Sequence, residues 1–155
     1  MNIPQTIIAA INTDLAKITK ANGYQRDIGK SVAIGYINPP SILPAAFFYP
    51  EDDKAEIWNE NRSIGKFTWT VYIGVYYEVF VKQGNITDEQ EITLQDLNDW
   101  VFGTFGAGKC LSISNPVTDP LKAVYLSAHY RSADFDLKSK SKCGIDLTIQ
   151  FLDKI

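Results

Sequence analysis

"KFTWTVYIGVYYEVFVK", residues Lys66 to Lys82, alternates its apolar side chains without a break. Phe67, Trp69, Val71, Ile73, Val75, Tyr77, Val79 and Val81 share one side, because successive side chains of a strand point to opposite faces. The other side carries Thr68, Thr70, Tyr72, Gly74, Tyr76, Glu78, Phe80 and Lys82, more polar yet still aromatic. A strand with one fully apolar face belongs in a sheet that something covers. The run exceeds the roughly 5–6 residues of a common strand, so a bend or bulge is expected near Gly74. Its surplus length is expected to pair or pack with another subunit, with Tyr72 and Tyr76 as contact candidates.

The cover is helical. Ile3, Ile7, Ile11, Leu15 and Ile18 recur every three or four positions, the stripe of an amphipathic helix over Ile3 to Ile18. Pro4 falls in its first turn, where a missing N–H costs nothing. "ANGY" ends it, with Gly23 placed for a left-handed cap. A second helix is predicted over "ITLQDLNDWVFGTF", Ile92 to Phe105, with Leu94, Leu97, Trp100 and Val101 as its buried stripe. Thr93 and Asp96 have the spacing of a capping box. Asp88, Glu89 and Glu91 precede that start and favour a positive helix end.

Five shorter strands are predicted: "SVAIGYI" (Ser31–Ile37), "AAFFY" (Ala45–Tyr49), "CLSIS" (Cys110–Ser114), "AVYLSAHY" (Ala123–Tyr130) and "GIDLTIQFL" (Gly144–Leu152). Two polar stretches between strands, residues 50–65 and 131–144, are predicted as long loops, one mostly acidic and one basic at its end. Glu51, Asp52 and Asp53 in the first and Lys138, Lys140 and Lys142 in the second suit a head-to-tail contact between copies. The expected fold class is α+β: an antiparallel or mixed sheet flanked by two helices, in a single domain over residues 1–155.

Composition narrows the function. The 155 residues carry a net charge of −3, against the strongly cationic balance of nucleic-acid-binding domains. No apolar run reaches the roughly 20 residues that span a bilayer, and the N-terminus lacks a basic leader, so synthesis in the cytoplasm is expected. Cys110 and Cys143 are read as a pair of buried thiols in separate strands, and His129 is the only histidine. No metal site, cofactor site or catalytic triad is expected from them.

One motif argues otherwise. "GTFGAGKC", Gly103 to Cys110, matches G-x-x-x-x-G-K and departs from the P-loop pattern only at Cys110. A P-loop needs a strand before the glycines and a helix after them, so that N–H groups and the positive helix end face the phosphates. Here a helix enters and a strand leaves, so the chain brings carbonyls and a negative helix end to that place. Cys110 is also a poor ligand for Mg²⁺, which prefers oxygen. A nucleotide-binding enzyme working through this loop is the alternative of another class. The glycines are assigned to stopping the helix and turning the chain.

A helix finishing in "LAKITKANGYQRDIG", then "SVAIGYINPPSILPAAFFYPEDD", then the long strand, resembles the tail terminator (minor tail, tail-completion) proteins of long-tailed bacteriophages. The matching residues are Ile18, Ala21, Asn22, Gly23, Tyr24, Asp27, Ile28 and Gly29, then Pro44, Phe48, Pro50, Glu51 and Asp52. The resemblance covers the first 80 residues well and the remainder in element order only. Pro39–Pro40 and the segment after Glu51 depart from the compact versions. The resemblance implies a non-enzymatic virion protein without cofactor, assembled in the host cytoplasm. It implies a hexameric ring that caps the tail tube, stops its polymerisation and joins the head connector. Its partners would be copies of itself, the tail tube protein and the head–tail connector protein, with DNA only passing through the lumen and no membrane. A connector or a tail-tube subunit is the alternative within that class.

Overall fold

The computed structural model describes residues 3–35, 37, 40, 42–57, 64–78, 86–105, 111–113, 121–135 and 140–154. Among these, two helices, α1 (Ile3–Leu15) and α2 (Ile86–Phe105), accompany six strands. The strands are β1 (Val32–Ile34), β2 (Ala45–Ile57), β3 (Ile64–Glu78), β4 (Leu111–Ile113), β5 (Leu121–Phe135) and β6 (Lys140–Lys154). They form one sheet in the order β1-β2-β3-β6-β5-β4. Only β1 and β2 run parallel; the other neighbours are antiparallel. The class is the expected one, a mixed sheet with two helices in a single α+β domain.

The long alternating run becomes the spine of the sheet. β3 pairs with β6 from Ile64↔Lys154 to Glu78↔Lys140, and with β2 on its other side. Its length is thus used inside the subunit, where two neighbours satisfy the backbone groups that an overhanging strand would leave open. Residues 79–82 lie outside the described residues. Trp69, Val71, Ile73 and Val75 of β3 share one core with Ile7, Ile11, Leu15 and Ile18 from the N-terminal stripe. Leu97, Trp100 and Val101 of α2 close it. Each such side chain contributes roughly 1.5–3 kcal/mol on leaving water. Trp100 also donates its indole N–H to the Asp14 carbonyl at 3.1 Å, tying α2 to α1.

Several boundaries differ from the sequence expectation. α1 ends at Leu15, three residues early, because the bonds shorten to i→i+3 at Lys17 and Ile18. Ile18 stays buried on the tightened turn. Gly23 does take a left-handed conformation, with φ 93°, but it caps a 3-10 turn at Lys20–Asn22 rather than the helix. α2 starts at Ile86, so Thr93 and Asp96 are interior and buried, not a capping box. Glu89 and Glu91 stand within its early turns.

The predicted loops at 50–65 and 131–144 are corrected in the same direction. β2 continues to Ile57 and β3 begins at Ile64; β5 continues to Phe135 and β6 begins at Lys140. Polar composition does not prevent strand formation where a neighbouring strand supplies the hydrogen bonds. The predicted bulge moves as well. Register runs unbroken through Gly74, and the irregularity lies in β2 between Pro50 and Asp52. That position follows the last β1 partner, Phe48, so Pro50 sits where β2 has no strand partner on its outer side among the described residues. An edge tolerates the missing N–H.

Candidate assembly surfaces

The residues of the "ANGYQRDIG" stretch prove to be joints between elements. The Asn22 side-chain amide donates to the Lys17 carbonyl at 2.8 Å, closing the turn after α1. Asp27 accepts from the Lys20 N–H at 2.9 Å and pairs with Lys30 at 3.3 Å. Those contacts, the Lys20 N–H first, hold its carboxyl below the usual range. Gly29 donates to the Ile18 carbonyl at 2.7 Å, and a Cβ there would lie 2.6 Å from the Ala16 carbonyl carbon. Ile28 is fully buried.

The same stretch is clamped to α2. Asp96, fully buried, accepts from the Gln25 N–H at 3.0 Å and from the Arg26 N–H at 2.8 Å. Burial pushes its carboxyl up, against the pull of those two N–H groups. Arg26 meets Glu89 through two bonds, Nη2 to Oε1 at 2.7 Å and Nε to Oε2 at 3.2 Å. The bond to Glu89 is the main reason its guanidinium is held even more firmly protonated. Burial raises the Tyr24 hydroxyl, with Asp99 and Asp96 adding to the effect. These groups position backbone; none is arranged around a reacting atom.

On the sheet face away from the core, Phe47, Tyr72 and Tyr76 form a second cluster, with Ala33, Ile37, Leu43 and Tyr49 packed against it. Phe47 lies with its centroid 5.8 Å from Tyr72 and 5.4 Å from Tyr76. The floor beneath is a directly paired couple of glycines, Gly74↔Gly144. Tyr76 donates its hydroxyl to the Ile37 carbonyl at 3.0 Å, and the Leu43–Pro44 peptide in the same cover is cis.

Two adjoining cavities share Arg26, Leu43 and Pro44. One, of about 270 Å³, reaches Tyr77, Glu78, Glu89 and Thr93. The other, of about 470 Å³, reaches Lys20, Asp27, Lys30, Ser31 and Ile42.

The residues expected at an interface between copies lie on different parts of the sheet within the subunit. Tyr72 and Tyr76 are 4% and 5% exposed, so their rings are interior to the subunit. Glu51 is exposed on β2, where Asp52 and Asp53 follow it opposite Thr70 and Trp69. Lys140 and Lys142 are on β6 opposite Glu78 and Tyr76, near the other end of the sheet. Lys138 lies outside the described residues. The joints at Arg26, Glu89 and Asp96 escaped the sequence reading, since charged residues far apart in sequence carry no local signature of pairing.

The glycine motif is entered from α2, which ends at Phe105, and left into β4, which begins at Leu111. Residues 106–110, including Lys109 and Cys110, lie outside the described residues. Gly103 falls within the last helical turn. The order of elements is thus opposite to that of a P-loop. Among the described residues no group of three or more His, Cys, Asp or Glu is arranged to hold a metal, and no helix is long and apolar enough to cross a membrane.

Cys143 is fully buried, and its thiol is pushed up to about 12 by that burial. The thiolate is the reactive form. In a Cys110→Ser background, Cys143 is therefore expected to resist a thiol reagent at pH 8 until denaturant unfolds the chain. Prompt labelling of the folded protein would show that the strand opens.

No protein-family model matches the sequence, and no curated protein matches it either. Among solved structures, a chain of the virion of a native gene transfer agent particle is similar in fold, with a TM-score of 0.55 at 12% identity. The match covers 94% of this chain and 97% of that one. At that identity the likeness is one of fold.

Proposed function

We propose that this chain is a structural, non-enzymatic protein of a phage-like virion tail, acting as the ring that ends the tail tube and receives the head connector. The observation that carries the proposal is the match of nearly the whole chain, end to end, with a virion chain. The terminator-like stretch supports it, because Gly23, Asp27 and Gly29 serve turns and joints rather than chemistry. The net charge of −3 supports it also, since a lumen that lets DNA slide should not grip phosphate.

The test is assembly with the tail tube protein of the same virion. Tubes polymerising in the presence of this chain are expected to stop at shorter lengths, with a ring of density at one end in negative-stain micrographs. If tubes grow to the same length and carry no added density, the proposal fails.

A further inference from the structure

The segment that leads from α1 into β1 is fastened by polar contacts more than by packing. Of residues 19–35, all of them described, only Ile28 and Gly29 are buried. Tyr24 and Val32 touch the core without being enclosed by it. By contrast, residues 45–48 of β2 and 71–77 of β3 are buried throughout. β1 adds little hold of its own, since its three residues pair with β2 in parallel, the weaker arrangement per residue.

Three elements hold this segment, each at its own point. α2 takes residues 25 and 26, whose N–H groups donate to Asp96 at 3.0 and 2.8 Å. The Gln25 side-chain amide adds a bond to Gln95 at 3.0 Å, and Arg26 meets Glu89. The end of the N-terminal stripe takes Gly29, whose N–H donates to the Ile18 carbonyl at 2.7 Å. β2 takes both ends of β1. The Ala46 N–H donates to the Ser31 carbonyl at 2.8 Å, and the Gly35 N–H donates to the Phe48 carbonyl at 2.7 Å. Between these points Asp27 accepts from the Lys20 N–H and pairs with Lys30, which closes the segment on itself.

We infer that residues 19–35 are a strap that leaves the sheet edge as one unit while the core stays folded, with Asp96 of α2 as its latch. Segments with few buried apolar contacts open at a lower free energy than the core they cover. Ile28 is the one fully buried side chain that the strap must withdraw, whereas opening β3 would expose a whole row of them. One carboxylate that receives two successive N–H groups fixes where residues 25 and 26 sit. The bonds of Asp27 and Gly29 carry that position on to Ser31 and β1. Opening would bare the Ala46 N–H and the Phe48 carbonyl of β2 and lift Ala33 from the cluster of Phe47, Tyr72 and Tyr76. The movement is built into the subunit and does not rest on the tail reading.

Hydrogen exchange of the folded full chain, followed amide by amide at low urea concentrations, tests it. The amides of Arg26, Gly29, Gly35 and Ala46 each have a named acceptor in or beside the strap. They are expected to share one opening free energy and one urea slope, both smaller than those of the amides at residues 71–77. Asp96→Asn is expected to speed all four by a common factor of roughly tenfold or more, although Gly35 and Ala46 bond to Phe48 and Ser31 rather than to Asp96. Glu89→Ala, which removes the partner of Arg26, is expected to speed the same four by a smaller common factor. If Asp96→Asn speeds only the Gln25 and Arg26 amides, the strap is not one unit and the inference is overturned. It is overturned equally if Gly35 and Ala46 exchange with the urea slope of residues 71–77, since β1 would then open only when the whole chain unfolds. Neither outcome alters the tube-length result, so the two proposals fail separately.

Discussion

Gly144→Ala is expected to cost about 3 kcal/mol or more, at the upper end of what overpacking does. A Cβ at Gly144 would fall on the Ile73 carbonyl oxygen, with the Tyr72 ring carbon Cε2 and the Tyr72 hydroxyl oxygen only 2.7 and 2.8 Å away. The carbonyl belongs to the central strand, paired on both sides, so it has nowhere to move. Gly74→Ala is the milder partner. Its Cβ would press on the far end of the Phe47 ring, 2.6 Å from Cε1, and a ring can tilt where a backbone cannot. A loss of roughly 1–3 kcal/mol is expected there. The two differ in what rescues them. Phe47→Leu should recover part of the Gly74→Ala loss, whereas no side-chain change at Tyr72 should recover Gly144→Ala. Urea unfolding of the single and double variants measures both terms. If Gly144→Ala lies within 1 kcal/mol of wild type, the glycine floor is not the constraint described.

This pair also marks where the sequence stopped being legible. The alternation from Phe67 to Val81 announced a strand with a covered face, and the stripe from Ile7 to Ile18 announced what covers it; Trp69, Val71, Ile73 and Val75 of the first and Ile7, Ile11, Leu15 and Ile18 of the second share the core. These are periodic signals, written many times over in neighbouring residues. Gly74 carried no such redundancy. A glycine in a strand reads equally as a bend or as room for a ring, and only the placement of Phe47 on β2 decides between them. The bulge at Pro50 to Asp52 lies just beyond the last β1 partner, Phe48, a boundary that no residue near Pro50 encodes.

The acidic and basic stretches illustrate the same limit. Glu51, Asp52 and Asp53 were readable as charge but not as strand, because pairing with β3 is a property of the partner as much as of the segment. Tyr72 and Tyr76 were readable as aromatic on a mixed face. Their burial depends on cover from Ala33, Ile37 and Leu43, and the prolines of that stretch of sequence spoke only of a turning connection. The direction of the chain through the glycine motif was legible, since it needed only the order of two elements.

Asp96 and Asp27 are expected to respond to pH with opposite signs, and Asp96→Ala is expected to be the most damaging polar change among the joints. Removing the Asp96 carboxylate leaves the N–H groups of Gln25 and Arg26 without their acceptor, at about 1–3 kcal/mol for each. Asp96→Asn keeps one acceptor oxygen and should cost less. The folded Asp96 carboxyl is raised by burial, above the roughly 3.9 of an unfolded aspartate. The folded state then holds the proton more tightly, so the stability from this titration is full below about pH 3.9 and falls as pH rises through the folded value. The gap between wild type and Asp96→Asn should therefore narrow from acid to neutral pH. Asp27 is lowered, by the Lys20 N–H above all. Its contribution is full above about pH 3.9 and is lost as pH falls through its folded value, so the Asp27→Asn gap should widen over the same range. Urea midpoints between acid and neutral pH for the three proteins give both slopes. Parallel slopes would mean that the two N–H groups outweigh burial at Asp96, and that the clamp on residues 25–26 is held by a carboxylate no different from the one at Asp27.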